Sequence, residues 1–381
     1  MNALDRRPAA APARRPHVMH VVLSLAPGGT EGLVVELCRR LPPRFDVSVC
    51  CLDADGAWAE GLRARGVEVL ALQRDPGFRP DIGRRIAKLA AARGARVLHC
   101  HQYSPFVYGW IASKYNTGLR IVYTEHGRLS DAPPTLKRRL VNPLLARFPG
   151  SIVAVSRELR EYMIASRFPA ARVEVVHNGI APGLPATGLD RILARRALGL
   201  ERDSLTFMTV ARLDPVKDLR TMLDAFAIVR IARPDAQLVI VGDGPERERL
   251  EVRAAAPDLG DSVRFAGYRA DVRSVLAAAD VYVSSSISEG ISITILEAMA
   301  TGIPVVATAV GGTPEVLEHA RGGALVPSRD PDALAAAMLR FAADTRARED
   351  AGAAGRERLS THFTVDRMID DYARLYQRLI G

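Results

Sequence analysis

Two carboxylates stand eight positions apart in SEGISITILEAMATGIPVV, residues 288–306. Glu297 sits inside ITILEAMA, a run whose other members are apolar or carry one small hydroxyl. Burying a lone carboxylate costs on the order of several kcal/mol unless a partner compensates it. Glu289 precedes Gly290, just after the apolar run DVYVSSS, and the pattern predicts a helix starting within a few residues. Backbone amides around Gly290, Ile291, Ser292 and Ile293 are then free to hold hydroxyls or a phosphate. A carboxylate accepts two hydrogen bonds at once, which suits a vicinal diol such as a ribose 2′,3′ pair. An acid paired to an arginine elsewhere in the core would fit the same position, and at this point both readings stay open.

Cations occupy a second loop. MTVARLDPVKDL places Arg212 and Lys217 just past another apolar run. Two cations there suit a diphosphate, and arginine can grip it bidentately. ATAVGGTPEV puts Gly311 and Gly312 between a strand and a helix, and LAPGGTEG does the same early in the chain with Gly28 and Gly29. Such loops let a ligand or another backbone come close, although a plain tight turn has the same composition. Metal chemistry finds less support. Asp53 and Asp55 in CLDADG have D-x-D spacing, but they follow an early strand away from these loops and read as a surface turn. His99 and His101 lie on one face of a strand, yet zinc needs further ligands, and none is at suitable spacing. The expectation is a cleft or core role, and no metal site.

These residues need elements to position them. HVVLSL-type runs rich in β-branched residues recur as DVSVCCL, VEVLAL, ARVLHC, RIVYTE, SIVAVS and VEVVH, with helical stretches between. After the Gly- and Pro-rich NGIAPGLPATG the alternation restarts with LTFMTVA, AQLVIVG, VRFAG, DVYVSSS, PVVATA and GALVP. Short buried strands alternating with helices predict parallel sheets covered on both faces. The expected organisation is a basic tail over 1–16, doubly wound domains over 17–184 and 185–360, and a last helix over 361–381. In such sheets ligands bind at the carboxyl ends of the strands, and two facing domains make a cleft.

A chain of 381 residues is too long for one ordinary core and suits two domains. No apolar run reaches about 18 residues, so no membrane span is expected. The basic N-terminus, rich in Ala and Pro, lacks the apolar stretch of a secretory signal. Four cysteines (Cys38, Cys50, Cys51, Cys100) show neither disulfide-framework nor zinc spacing and read as buried thiols of a cytoplasmic protein. The net charge of +9 suits an anionic partner, but the arginine excess is spread along the chain and an arginine-rich composition explains it equally. Nucleic acid is disfavoured, since no basic stretch carries interleaved aromatics.

At this point the chain resembles a known group. SEGISITILEAMATGIPVV, with its glutamates separated by seven residues, is similar to the retaining GT-B glycosyltransferases of family 4 (glycosyl transferases group 1), of the kind found in bacterial exopolysaccharide assembly. The likeness extends in order through GGTE, YTEHG, IVAVS, VVHNGI, VARLDPVKD, VIVGDGPER, VRFAGY and VGGTPE, over most of the chain. It implies two Rossmann-like domains across a cleft, an acceptor-side one first and a nucleotide-sugar-binding one second, with the last helix packing back on the first. Glu297 matches the acid that binds the donor ribose, and Glu289 the acid beside the transferred sugar. The backbone of Gly290, Ile291, Ser292, Ile293 and Thr294 matches the stretch holding that sugar's hydroxyls. Arg212 and Lys217 match the cations that stabilise the departing nucleoside diphosphate. Gly28 and Gly29 match the loop over the donor phosphates, His126 a histidine near the donor sugar, and Gly267 and Tyr268 the wall beside the base. Ser292 stands where many relatives carry Pro or another residue, and Ala181 replaces an acid that often follows NGI; both departures blur which sugar is used.

The implied reaction moves a hexose-type sugar from a UDP or GDP donor to a saccharide or lipid-linked saccharide, with retention and with neither metal nor cofactor. KRRLVNPLLARF (137–148) mixes basic and apolar residues at roughly helical spacing and suits an anionic bilayer, so peripheral attachment at the cytoplasmic membrane face is expected. HQYSPFVYGW (101–110) supplies aromatics for an acceptor or for the core of a helix. Three other readings compete. A dehydrogenase is disfavoured because VGDGPER has Arg247 where the third glycine of GxGxxG belongs. A nucleotide-sugar epimerase of the same architecture would need no acceptor. A non-catalytic scaffold would have no need for so many costly charges.

Overall fold

The computed structural model describes residues 15–128, 130–201, 203–318 and 321–381. Of the tail expected over 1–16, residues 1–14 lie outside the described residues.

Each apolar run named above forms a strand. The first seven are β1 (His17–Val22), β2 (Asp46–Cys51), β3 (Glu68–Ala71), β4 (Ala95–His101), β5 (Arg120–Glu125), β6 (Gly150–Ala154) and β7 (Val173–Val175). They make one sheet in the order β3-β2-β1-β4-β5-β6-β7. The next six are β8 (Thr206–Val210), β9 (Gln237–Val241), β10 (Val263–Gly267), β11 (Val281–Ser284), β12 (Val305–Thr308) and β13 (Gly323–Val326), ordered β10-β9-β8-β11-β12-β13. Both orders reverse direction beside their first strand, the doubly wound arrangement whose switch point lies at the carboxyl ends of the central strands. The pairings are parallel, as in β8 with β9 (Thr206 opposite Gln237) and β11 with β12 (Tyr282 opposite Val305).

Burial on both faces explains the unbroken apolar strands. In the second sheet Phe207, Leu238 and Val283 meet Met222 and Phe226 of the helix Leu219–Ala232, and Phe341 of the helix Pro331–Ala343. Each such side chain stabilises the fold by about 1.5–3 kcal/mol. Helix starts are written locally. Thr187 and Asp190 form a capping box before Gly188–Ala197, and Asp330 caps Pro331–Ala343. The four cysteines are buried and free of disulfides, and burial pushes the Cys50 and Cys51 thiols up to about 12, which makes them inert.

The chain divides into two compact units, Met1–Tyr123 with Phe148–Gly150 and Ala373–Gly381, and Thr124–Arg147 with Ser151–Tyr372. The last helix, Val365–Ile380, contributes to each. Tyr372 and Thr124 share a 3.2 Å hydrogen bond in the second unit, while Tyr376 meets His99 Nδ1 at 2.6 Å in the first. Among the described residues no helix is long and apolar enough to cross a membrane.

Candidate active site

The two carboxylates lie in the second unit at the carboxyl end of β11. The helix there runs Ile293–Thr301, and its N-cap Ser292 accepts a long 3.5 Å hydrogen bond from the Ile295 amide. That gives the serine at this position a physical role. Ile295, Leu296, Ala298 and Met299 turn into the core, so Thr294, Glu297 and Thr301 share the opposite, partly open face. Glu297 is half-buried, and its carboxylate makes neither hydrogen bond nor ion pair among the described residues. Burial pushes it up to about 7, and the Arg273 guanidinium, acting from a distance, only partly offsets this. A neutral-pH carboxylate of this kind answers the alternative raised by the sequence: among the described residues no arginine closes on it. Such a group is poised to accept hydrogen bonds from a ligand.

Glu289 has the opposite environment. Its Oε1 lies 2.5 Å from Lys217 Nζ and accepts a 2.7 Å hydrogen bond from Ser286 Oγ. Both groups are mostly withdrawn from water, with side-chain exposures of 10% for Glu289 and 23% for Lys217, so the pair is weakly screened. Two further bonds fix the loops that carry it: Ser285 Oγ donates to the Lys217 carbonyl at 2.8 Å, and the Ile287 amide to the Val216 carbonyl at 2.9 Å. Beneath them Tyr282 donates to Thr294 Oγ1 at 2.7 Å, within electrostatic reach of both carboxylates.

Glycine permits the close packing around this mouth. A Cβ on Gly290 would overlap the His126 carbonyl oxygen, and Gly311, at φ +55°, would overlap the Glu289 carbonyl. The GG pair is thus a close-approach loop, not just a turn. His126 therefore comes to the site through its backbone, and burial lowers its imidazole to about 3, leaving it neutral. Beside it, Glu315 accepts from the amides of Arg157 (2.5 Å) and Glu158 (3.3 Å) and meets His177 Nε2 at 3.0 Å. Burial pushes Glu315 upward, but these bonds outweigh it and hold the carboxyl below its ordinary range. Asn178 donates to the Ile291 carbonyl at 3.2 Å.

The other expected residues are placed differently. Arg212 shares the Lys217 loop but is 72% exposed and pairs with Asp214 at 3.3 Å. Ile291 gives its side chain to the core, so only its backbone is available. Gly267 ends β10 and the exposed Tyr268 follows it, and among the described residues no hydrogen bond or ion pair joins them to the two glutamates. Gly28 and Gly29 belong to the first unit, at the start of the helix Gly29–Arg40. Arg273 donates to the carbonyl of Ala181, the residue noted as replacing an acid.

Sequence reasoning missed several partners. Ser286, Tyr282, Glu315, His177 and Arg273 were not singled out, although Glu315 and His177 lie within VGGTPE and VVHNGI and a tyrosine inside a buried strand signals that its hydroxyl needs a partner. It also missed a third imidazole beside His99 and His101. Register sets His20 of β1 against His99 of β4, and the ligating atoms of His20, His99 and His101 fall within 4.8 Å of one another. His20 Nδ1 and His101 Nε2 share a 3.1 Å hydrogen bond, and burial lowers His20 to about 3.

Two doubly wound sheets, the second with an acid and a cation at a helix mouth, define a protein of the GT-B class. The crystal structure of Anabaena Alr3699/HepE in complex with UDP and glucose superposes with a TM-score of 0.84 at 25% identity, covering 94% of this chain and 99% of that one. The family model for Glycosyl transferases group 1 matches residues 190–358, and that for Glycosyltransferase Family 4 matches 27–183. D-inositol 3-phosphate glycosyltransferase of Salinispora tropica is 30% identical over 324 residues, 78% of this chain and 67% of the relative. UDP-Gal:alpha-D-GlcNAc-diphosphoundecaprenol alpha-1,3-galactosyltransferase of Escherichia coli is 26% identical over 341 residues, 86% of this chain and 88% of the relative. The chain belongs to the group 1, family 4 glycosyltransferases.

Proposed function

We propose that this protein is a retaining hexosyltransferase that takes its sugar from a nucleoside diphosphate and needs no metal. The observation that carries the reading is the contrast at one helix mouth. Glu297 is held near neutrality without a partner, while Glu289 is locked to Lys217 and Ser286. A ribose diol would supply the hydrogen bonds that Glu297 lacks. Glu289 and the amides from Gly290 to Thr294 would orient the transferred sugar.

The demanding event is departure of the diphosphate. The bond from the anomeric carbon to phosphate oxygen breaks, the bond to the acceptor oxygen forms on the same face, and the leaving phosphate takes the acceptor's proton. Lys217 and the helix-mouth amides stabilise the growing phosphate charge, and Arg212 supplies a second cation from the same loop. Each such donor contributes on the order of 10²–10³ in rate. With that charge met by side chains, a divalent ion has no remaining task.

The donor is a UDP- or GDP-sugar, with UDP supported by the ligand of the Anabaena neighbour and by the UDP-Gal in the name of the Escherichia coli relative. The acceptor is a saccharide, free or lipid-linked, in polysaccharide assembly at the cytoplasmic membrane face, recognised by residues 17–184 while 185–360 hold the donor. Calorimetric titration with UDP- and GDP-sugars tests the reading. Saturable binding of one of them is expected, with turnover only when acceptor is added. Binding to neither would leave a scaffold, and conversion of the donor sugar without acceptor would mark an epimerase.

A further inference from the structure

The helix Leu136–Leu145 is built with its apolar side outward. Its inner face is Asn142, which donates to the Ser166 carbonyl at 2.8 Å, and Leu145. Positions four apart share a helix face, so Leu136, Leu140 and Leu144 form a ridge on the opposite side. They are 70%, 71% and 53% exposed. Isolated exposed leucines are ordinary, but three in register on one ten-residue helix form a contiguous patch. Charge follows the same geometry. Lys137 lies on one flank of the ridge and Arg139 on the other, and Arg147 follows just beyond the helix. No Asp or Glu occurs from residue 132 to residue 157, in a chain that has 43 of them.

We infer that this ridge is a docking surface for an anionic lipid bilayer, with the helix lying in the membrane plane. Three leucines would enter the boundary between headgroups and acyl chains. The lysine and arginine stems would reach along apolar surface while their charges meet lipid phosphates. A second copy of the chain fits less well. Two ridges related by a two-fold axis would bring the flanking cations of both copies together, with no acid in the segment to neutralise them. This extends the reading above, because a lipid-linked acceptor would be met at that surface, but the docking does not depend on the transfer chemistry.

Flotation of the full chain tests it, using phosphatidylcholine vesicles with and without phosphatidylglycerol, alongside UDP titration of the same samples. Binding to the anionic vesicles is expected, weakening as salt rises. Leu140→Ser with Leu144→Ser should reduce it at least about tenfold. Lys137→Glu with Arg139→Glu should reduce it by about fivefold or more per residue. These side chains are exposed, so unchanged melting and UDP affinity would show an intact fold. Equal flotation with both vesicle types, or wild-type flotation of the leucine variant, would overturn the inference. So would conversion of a dimer to a monomer by the leucine variant in light scattering, since a second copy would then be the occupant. Failure of both UDP and GDP binding, with vesicle binding intact, would refute the transferase reading alone.

Discussion

Replacing Glu297 by Gln keeps the shape of the side chain and removes its charge. Burial raises this carboxyl from an ordinary 4.5 to about 7. At about 1.4 kcal/mol per pH unit, that is a penalty of about 3 kcal/mol against the ionised form in the folded protein. The sign follows from proton linkage. Below about 4.5 the group is protonated folded or unfolded, and no penalty exists. Between about 4.5 and 7 the unfolded chain ionises first, and the penalty grows; above about 7 it is complete. Glu297→Gln should therefore gain about 3 kcal/mol over the wild type on going from pH 4.5 to pH 8 in urea unfolding. Binding should move the opposite way. Charge-assisted hydrogen bonds contribute about 1.5–3 kcal/mol each, so the neutral amide should weaken UDP binding by about 10–100-fold. Wild-type affinity should also rise with pH through about 7, with proton release on binding, seen by calorimetry in buffers of different ionisation enthalpy. A variant no more stable at pH 8 than at pH 4.5, or one that binds UDP as tightly as the wild type, would refute the reasoning.

Three further outcomes follow from the same geometry. Lys217→Met strands the Glu289 carboxylate, so donor turnover should fall by about 10²–10³ and urea stability should drop; adding Glu289→Gln should restore stability but not turnover. Gly290→Ala forces a methyl into the His126 carbonyl, and should cost about 1–3 kcal/mol in denaturant unfolding; unchanged stability would mean the two segments are not packed as described. Glu315→Gln removes a carboxylate held below its ordinary range by His177 and two amides. Its stabilising effect is full above about 4.5 and fades as pH falls through the lower folded value, so variant and wild type should converge in acid but differ at pH 7.

The sequence by itself determined the secondary structure and the two-sheet class, and it singled out Glu289, Glu297, Arg212 and Lys217 as candidate charged groups. Strands buried on both faces must be unbroken apolar runs, and helix starts must carry their own caps, so this information is local. Glu297 was visible for the same reason: an acid in an apolar helix is a local anomaly. What only the tertiary structure decided was partnership. Lys217 and Glu289 are 72 positions apart, Glu315 and His177 138, and no local pattern encodes those pairings. Nor could the chain alone say that Arg212 stands in solvent while Lys217 is drawn in, or that His20 joins His99 and His101. Exposure and distance arise when strands take their places in a sheet, and strand order is a property of the whole fold.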